Sequence, residues 1–310
     1  MLACEGNSRG IMANRLSRRE LFPVLPRIVP MKVTCVVTRV NGESLRFEAV
    51  APRAPSVAAA YRDLGRAQKP AARSAPAYSR FVNRRLGRLL AAVCFSLGLS
   101  PNAVTAISGV LTFSGILVLA ITEPAWSSGL LVGSLLLLGY AFDSADGQVA
   151  RLGHVSSPAG EWLDHVVDAT KASALPLALA IGLFRAEAVP VLWLLVPILA
   201  SVISSVLFFA MILTEQLRRQ HSRVPVADHG ATHSTSRGWL RALLVLPMDY
   251  GVLCLSMLLL GALPAFLLVY TLITAATAVF LLLAAAKWFG ELRRVANRGP
   301  HDPNPIGASI

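Results

Sequence analysis

The sequence predicts an all-α polytopic membrane protein, six spanning helices preceded by an amphipathic surface helix, and three observations carry that prediction. Of its 310 residues 55% are hydrophobic and only 15% charged, with a mean hydropathy of +0.59. The apolar residues gather into runs long enough to cross a hydrocarbon layer about 30 Å thick. The Lys and Arg behind the net charge of +12 lie mostly in tails and inter-helix loops, which is the pattern of membrane orientation. No nucleic-acid motif accompanies that charge, so no nucleic-acid partner is expected. Cys4, Cys35, Cys94 and Cys254 are scattered, which argues against a disulfide framework or a zinc site.

Residues 1–77 hold no spanning run and read as a cytoplasmic extension. Ser17-Arg18-Arg19-Glu20-Leu21-Phe22 is faintly like a twin-arginine signal, but Pro23 and Pro26 break any apolar stretch after it. Met12 and Met31 are alternative starts. Asn41-Gly42 between two β-prone runs, Lys32 to Val40 and Ser44 to Val50, is a hairpin signal. A lone hairpin is marginal in water, so a disordered tail is the other reading.

From Tyr78 to Gly98, Phe81, Val82, Leu86, Leu89, Leu90 and Val93 share one helical face, and Arg80, Arg84, Arg85 and Arg88 lie largely on the other. That is a basic amphipathic helix on the membrane surface. Ser100 and Pro101 then form a helix start. Six spans follow near Ala103 to Ile121, Trp126 to Ala150, Gly160 to Phe184, Val189 to Thr214, Leu243 to Leu263 and Pro264 to Trp288. Residues 78–292 form the membrane domain and residues 293–310 a basic tail.

Arg80 to Arg88, Arg151, Arg218, Arg219, Arg223, Arg237, Arg241, Arg293, Arg294 and Arg298 all fall on one side of these spans. The other side offers Glu123, Arg185 and Glu187. Both termini are therefore expected in the cytoplasm, in the cell membrane's inner compartment. His221, His229 and His233 in the loop at 215–241 lack a clear third metal ligand and read as part of a solvated basic loop.

Asp143, Asp146, Gly147 and Ala150 project together from the end of the second span, because residues three and four apart share a helix face. Gly160, Asp164 and Asp168 do the same at the start of the third. A short turn makes the two helices antiparallel neighbours and brings the acids to one spot. Charged groups at bilayer depth cost roughly 2.5–3.5 kcal/mol each on insertion scales, so four acids call for compensation. All-oxygen ligands suit Mg²⁺, Mn²⁺ or Ca²⁺, and two such cations would clamp a phosphoryl group. Gly147, Gly160 and Ala150 keep the face open, and Arg151 offers a donor fork to a diphosphate. Lys171 shares the face of Asp168 and reads as its counter-ion within the bundle. His165 reads as a packed histidine.

The run Asp-x2-Asp-Gly-x2-Ala-Arg-x8-Gly-x3-Asp-x3-Asp, from Asp143 to Asp168, resembles the signature of the CDP-alcohol phosphatidyltransferase family at all its fixed positions. The resemblance implies transfer of a substituted phosphate from a CDP-linked lipid donor, such as CDP-diacylglycerol, to an acceptor hydroxyl, with release of CMP. It implies that Asp143, Asp146, Asp164 and Asp168 hold two divalent cations, Mg²⁺ or Mn²⁺, with Asp168 also the general base. Gly147, Ala150 and Gly160 would line the nucleotide pocket, Arg151 would reach the donor phosphates, and Asn102 and Thr105 would contact the nucleotide. A homodimer is implied too, to which Gly129-x3-Gly133 adds a weak helix-association pattern.

Arg218, Arg219 and Arg223 could bind a phosphorylated acceptor such as inositol phosphate or glycerol phosphate, although orientation charge explains them equally well. The competing class is a cation or proton transporter, which would place acids at mid-membrane on several helices in repeated halves. Here the acids cluster on two helices towards one face.

Overall fold

Two of the helix starts in this chain are set by a serine followed by proline. In the computed structural model, which describes residues 34–39, 45–50, 56–67, 77–153, 157–221 and 249–297, Ser100 accepts a hydrogen bond from the Ala103 amide with Pro101 in the first turn. Ser157 does the same for the Gly160 amide ahead of Pro158. Each cap satisfies an amide that the helix itself leaves free, while proline has none to lose.

The elements in order are β1 (Thr34–Arg39), β2 (Leu45–Val50), α1 (Val57–Ala67) and α2 (Arg84–Ser96). A π-helical turn at Ser79–Asn83 leads into α2. Then come α3 (Pro101–Ile121), α4 (Trp126–Leu152) and α5 (Pro158–Arg185). The next helix, α6 (Leu195–His221), is entered through a 3-10 turn at Val191–Leu194. The chain ends in α7 (Tyr250–Ser256), extended by a 3-10 turn at Met257–Gly261, and α8 (Leu263–Asn297). The strands pair antiparallel from Thr34↔Val50 to Arg39↔Leu45, while Asn41 and Gly42 lie outside the described residues.

Among the described residues five helices are long and apolar enough to span a bilayer: Pro101–Ile121, Trp126–Leu152, Pro158–Arg185, Val191–Gln220 and Leu263–Arg294. The fifth expected span, from Leu243 to Leu263, differs. Its described part is the shorter apolar run Tyr250–Gly261, because Asp249 caps a new helix start there, accepting from the Gly251 amide at 3.1 Å. Residues 243–248 lie outside the described part.

The core runs down the bundle through Leu119, Leu136, Leu175, Leu179, Leu183, Met257 and Phe266. Gly129 and Gly133 belong to this internal packing. A methyl added to Gly129 would meet the Met257 carbonyl oxygen at 2.7 Å, and one added to Gly133 would meet the Leu258 side chain at 2.8 Å. The two glycines thus let α7 approach α4 within one chain, a use that this helix-association spacing also has inside monomers.

A second buried cluster joins Ala60 and Leu64 of α1 to Ala91 and Ala92 of α2, Val104 of α3, and Ala145 and Val149 of α4. The Arg88 guanidinium lies 4.4 Å from the Tyr61 ring centroid and donates to its hydroxyl at 2.9 Å. Along the π-helical turn and α2, Phe81, Val82, Leu86, Leu89 and Val93 are exposed, the face an interfacial helix presents to lipid.

Candidate functional site

Two of the spans, α4 and α5, carry the carboxylates, and the short connection between them sets their ends side by side. One carboxylate oxygen each from Asp143, Asp164 and Asp168 lies within 4.8 Å of the others. Lys171, one turn further along α5 than Asp168, is buried and reaches into this group. Its Nζ stands 2.7 Å from Asp143 Oδ1 and 2.6 Å from Asp168 Oδ1. Two of the three carboxylates are thereby held on one ammonium, which offsets part of the repulsion that would otherwise drive them apart.

Asp146 is buried at 8% exposure and turns to a different partner. The Thr105 hydroxyl of α3 donates to its Oδ2 at 2.7 Å. The four acids expected at one spot thus divide into a triad and a single member one turn away. Thr105, expected to meet a nucleotide, holds Asp146 by this bond. A hydrogen bond to a charged group, worth about 1.5–3 kcal/mol, accounts for that choice.

The small residues stand where the spacing put them. A methyl added to Gly147 would meet nothing within 4 Å, so the exposed face of α4 beside Asp146 is open. A methyl added to Gly160 would come within 3.3 Å of Asn102 Oδ1, which puts the first turns of α3 and α5 next to each other. Ala150 is half-buried and Arg151 exposed at the end of α4.

Of the arginines expected to bind an acceptor, Arg218 and Arg219 have carboxylate partners. Arg218 pairs with Glu291 of α8. Arg219 pairs with Glu215 at 3.1 Å and with Glu161 at 3.5 Å. Arg223 lies outside the described residues. His165 packs edge-on against Phe208, with ring centroids 6.4 Å apart.

Asp249 carries a role the sequence reading missed. Almost fully buried at 1% exposure, it accepts from the Ser79 amide at 2.9 Å as well as capping α7. It ties the turn before α2 to α7 next to the stacked rings of Tyr78 and Tyr140. An aspartate just ahead of an apolar run is a helix-start signal that could have located it.

A donor set of three aspartates with no nitrogen or sulfur ligand fits a hard divalent cation, the type of metal this kind of site takes. No curated protein matches the chain. A family model described as CDP-alcohol phosphatidyltransferase matches residues 98–284, a stretch that begins ahead of α3, contains α3 to α7 and ends within α8. With most of its length matched and the carboxylates gathered inside that stretch, the chain belongs to the CDP-alcohol phosphatidyltransferase family.

Proposed function

We propose that this protein moves a phosphatidyl group from a CDP-linked alcohol such as CDP-diacylglycerol to an acceptor hydroxyl, releasing CMP. The observation that carries the reading is the convergence of Asp143, Asp164 and Asp168 beside the open face at Gly147. Membership of the family supports the reaction class, a step of phospholipid synthesis at a membrane.

In this reading Asp143, Asp146, Asp164 and Asp168 hold two divalent cations, Mg²⁺ or Mn²⁺. Bound there, the cations would neutralise charge on the transferring phosphoryl group and acidify the attacking hydroxyl. Thr105 fixes the carboxylate of Asp146, the kind of outer contact that orients a metal ligand. Lys171 keeps Asp143 and Asp168 aimed at each other. The cytidine lies along Gly147, Ala150 and Gly160 near Asn102, with Arg151 reaching the diphosphate. Asp168 takes the acceptor's proton as the new oxygen–phosphorus bond forms, and the bond to CMP breaks on the opposite side.

In this reading the end of the bundle that carries the carboxylates and both termini face the cytoplasm of a cell-membrane protein, an orientation the arginine rows support. The division into an extension (residues 1–77), a membrane domain (78–292) and a basic tail (293–310) belongs to the same proposal. So does a homodimer, which rests on family resemblance. A phosphorylated acceptor bound by Arg218, Arg219 and Arg223 would first have to release Arg218 and Arg219 from their glutamates.

The test is CMP release by purified protein supplied with CDP-diacylglycerol, Mg²⁺ or Mn²⁺, and a panel of polyols, polyol phosphates, amino-alcohols and lipid alcohols. Release with at least one acceptor supports the reading, and none with any of them removes it.

A further inference from the structure

We propose that the acceptor is a lipid alcohol whose hydrocarbon chain occupies a cavity between α5, α6, α7 and α8; this rests on the phosphatidyl-transfer reading. The cavity has a volume of about 390 Å³, and Lys171 forms part of its wall. The same Lys171 holds Asp143 and Asp168, so the cavity adjoins the carboxylates directly.

Its wall is hydrocarbon in character. Leu175, Ile203, Leu207, Phe208, Leu253 and Phe280 are among the residues that line it. Some of its polar groups are committed, whereas the buried Tyr250 hydroxyl has no hydrogen-bond partner among the described residues. The Thr274 and Thr277 hydroxyls donate to carbonyls of their own helix, at 2.9 Å to Tyr270 and 2.8 Å to Ile273. Asp249 accepts from two backbone amides. A phosphorylated acceptor brings about −1.5 to −2 charges and needs free cationic donors. Among the described residues Lys171 is the one cation on this wall, and two carboxylates already hold it.

Direction of attack points the same way. An in-line displacement sets the entering and departing oxygens on opposite sides of phosphorus. Gly147, Ala150 and Arg151 run outward along α4 from Asp143, towards the turn into α5. Lys171 and the cavity run inward along α5 from Asp168. With the nucleotide leaving outward, the acceptor enters from the inner side, where the apolar cavity lies. Near that entrance Pro176, which has no amide hydrogen, deprives the Ala172 carbonyl of its i+4 helical donor. Both residues are on the wall, so an acceptor hydroxyl finds an acceptor group there.

The experiment compares acceptors at fixed CDP-diacylglycerol and Mg²⁺ in mixed micelles, scored by CMP release. Diacylglycerol, phosphatidylglycerol and a long-chain alkanol form one arm; glycerol, inositol, glycerol phosphate and inositol phosphate form the other. The expected result is release at least tenfold faster with a member of the lipid arm. Equal or faster release with a soluble acceptor overturns the inference and leaves the reaction class standing, whereas silence in both arms overturns both. Thr274→Trp, which narrows the cavity, is expected to lower kcat/KM for the lipid alcohol at least tenfold with CDP affinity unchanged. A rise in the KM of CDP-diacylglycerol with the acceptor KM unmoved would give the cavity to the donor's chain and contradict the proposal.

Discussion

Lys171 stands between Asp143 and Asp168 at 2.7 and 2.6 Å, and removing it leaves two half-buried carboxylates facing each other. The cost is expected to lie below the figure of about 3–5 kcal/mol for breaking a fully buried pair. Lys171→Met is therefore expected to lower the thermal midpoint in detergent, with much of the loss recovered on adding Mg²⁺ or Mn²⁺, since a bound cation supplies the missing charge. A loss that divalent cations do not touch would argue against metal binding by these acids. Asp168→Asn is expected to reduce CMP release by about 100-fold or more, the low end of what a general base contributes, with CDP binding retained; unchanged turnover would end its assignment as base. Arg218→Ala, by contrast, removes only a half-exposed pair with Glu291, an interaction worth about 0–1 kcal/mol. The acceptor KM is expected to stay where it was, and a large rise would restore the anion-pocket reading. At this scale the spacing of Asp143, Asp164 and Asp168 was enough to foresee their meeting, because helix period and a short turn dictate it. The turn of Asp146 towards Thr105 was not foreseeable, since it depends on how α3 sits against α4.

Among the elements, α1 owes its place to Ala60 and Leu64, each 1% exposed against α2 and α4. Leu64→Ala is expected to destabilise the protein by about 2–5 kcal/mol, the usual cost of such a buried truncation, as read from thermal unfolding in detergent. A change within error would mean that α1 does not dock in solution. The sequence did carry a trace of α1: Val57, Ala60, Tyr61 and Leu64 follow helical spacing, and the Ser56 hydroxyl accepts from the Ala59 amide at 3.3 Å. With 11 residues amid proline, arginine and alanine it gave too short a pattern to stand out. The long spans were legible because twenty apolar residues in a row leave few alternatives, and their starts because serine followed by proline caps a helix. The use of Gly129 and Gly133 was not legible. Small residues at that spacing serve a neighbour in the same chain or in another, and only the position of α7 against them decides which.

For the molecule as a whole, alternating helices bring the starts of α3 and α5 and the end of α4 to one end of the bundle, and the carboxylates sit there. In the proposed orientation, which the arginine rows support, that end faces the cytoplasm. Single cysteines placed at 153 and in the loop at 222–248, labelled from outside intact cells, are expected to stay unlabelled; labelling of both would invert the topology. The reaction class was readable through the family resemblance carried by eight spaced positions between Asp143 and Asp168, which keep fixed helical offsets. Acceptor choice was not, because the cavity wall is assembled from four helices distant in sequence. The most direct test of the central claim is CMP release from CDP-diacylglycerol by purified protein offered the full acceptor panel, with and without a chelator. The account predicts release that requires Mg²⁺ or Mn²⁺ and is lost in Asp168→Asn. Release that survives the chelator, or no release with any acceptor, would contradict it.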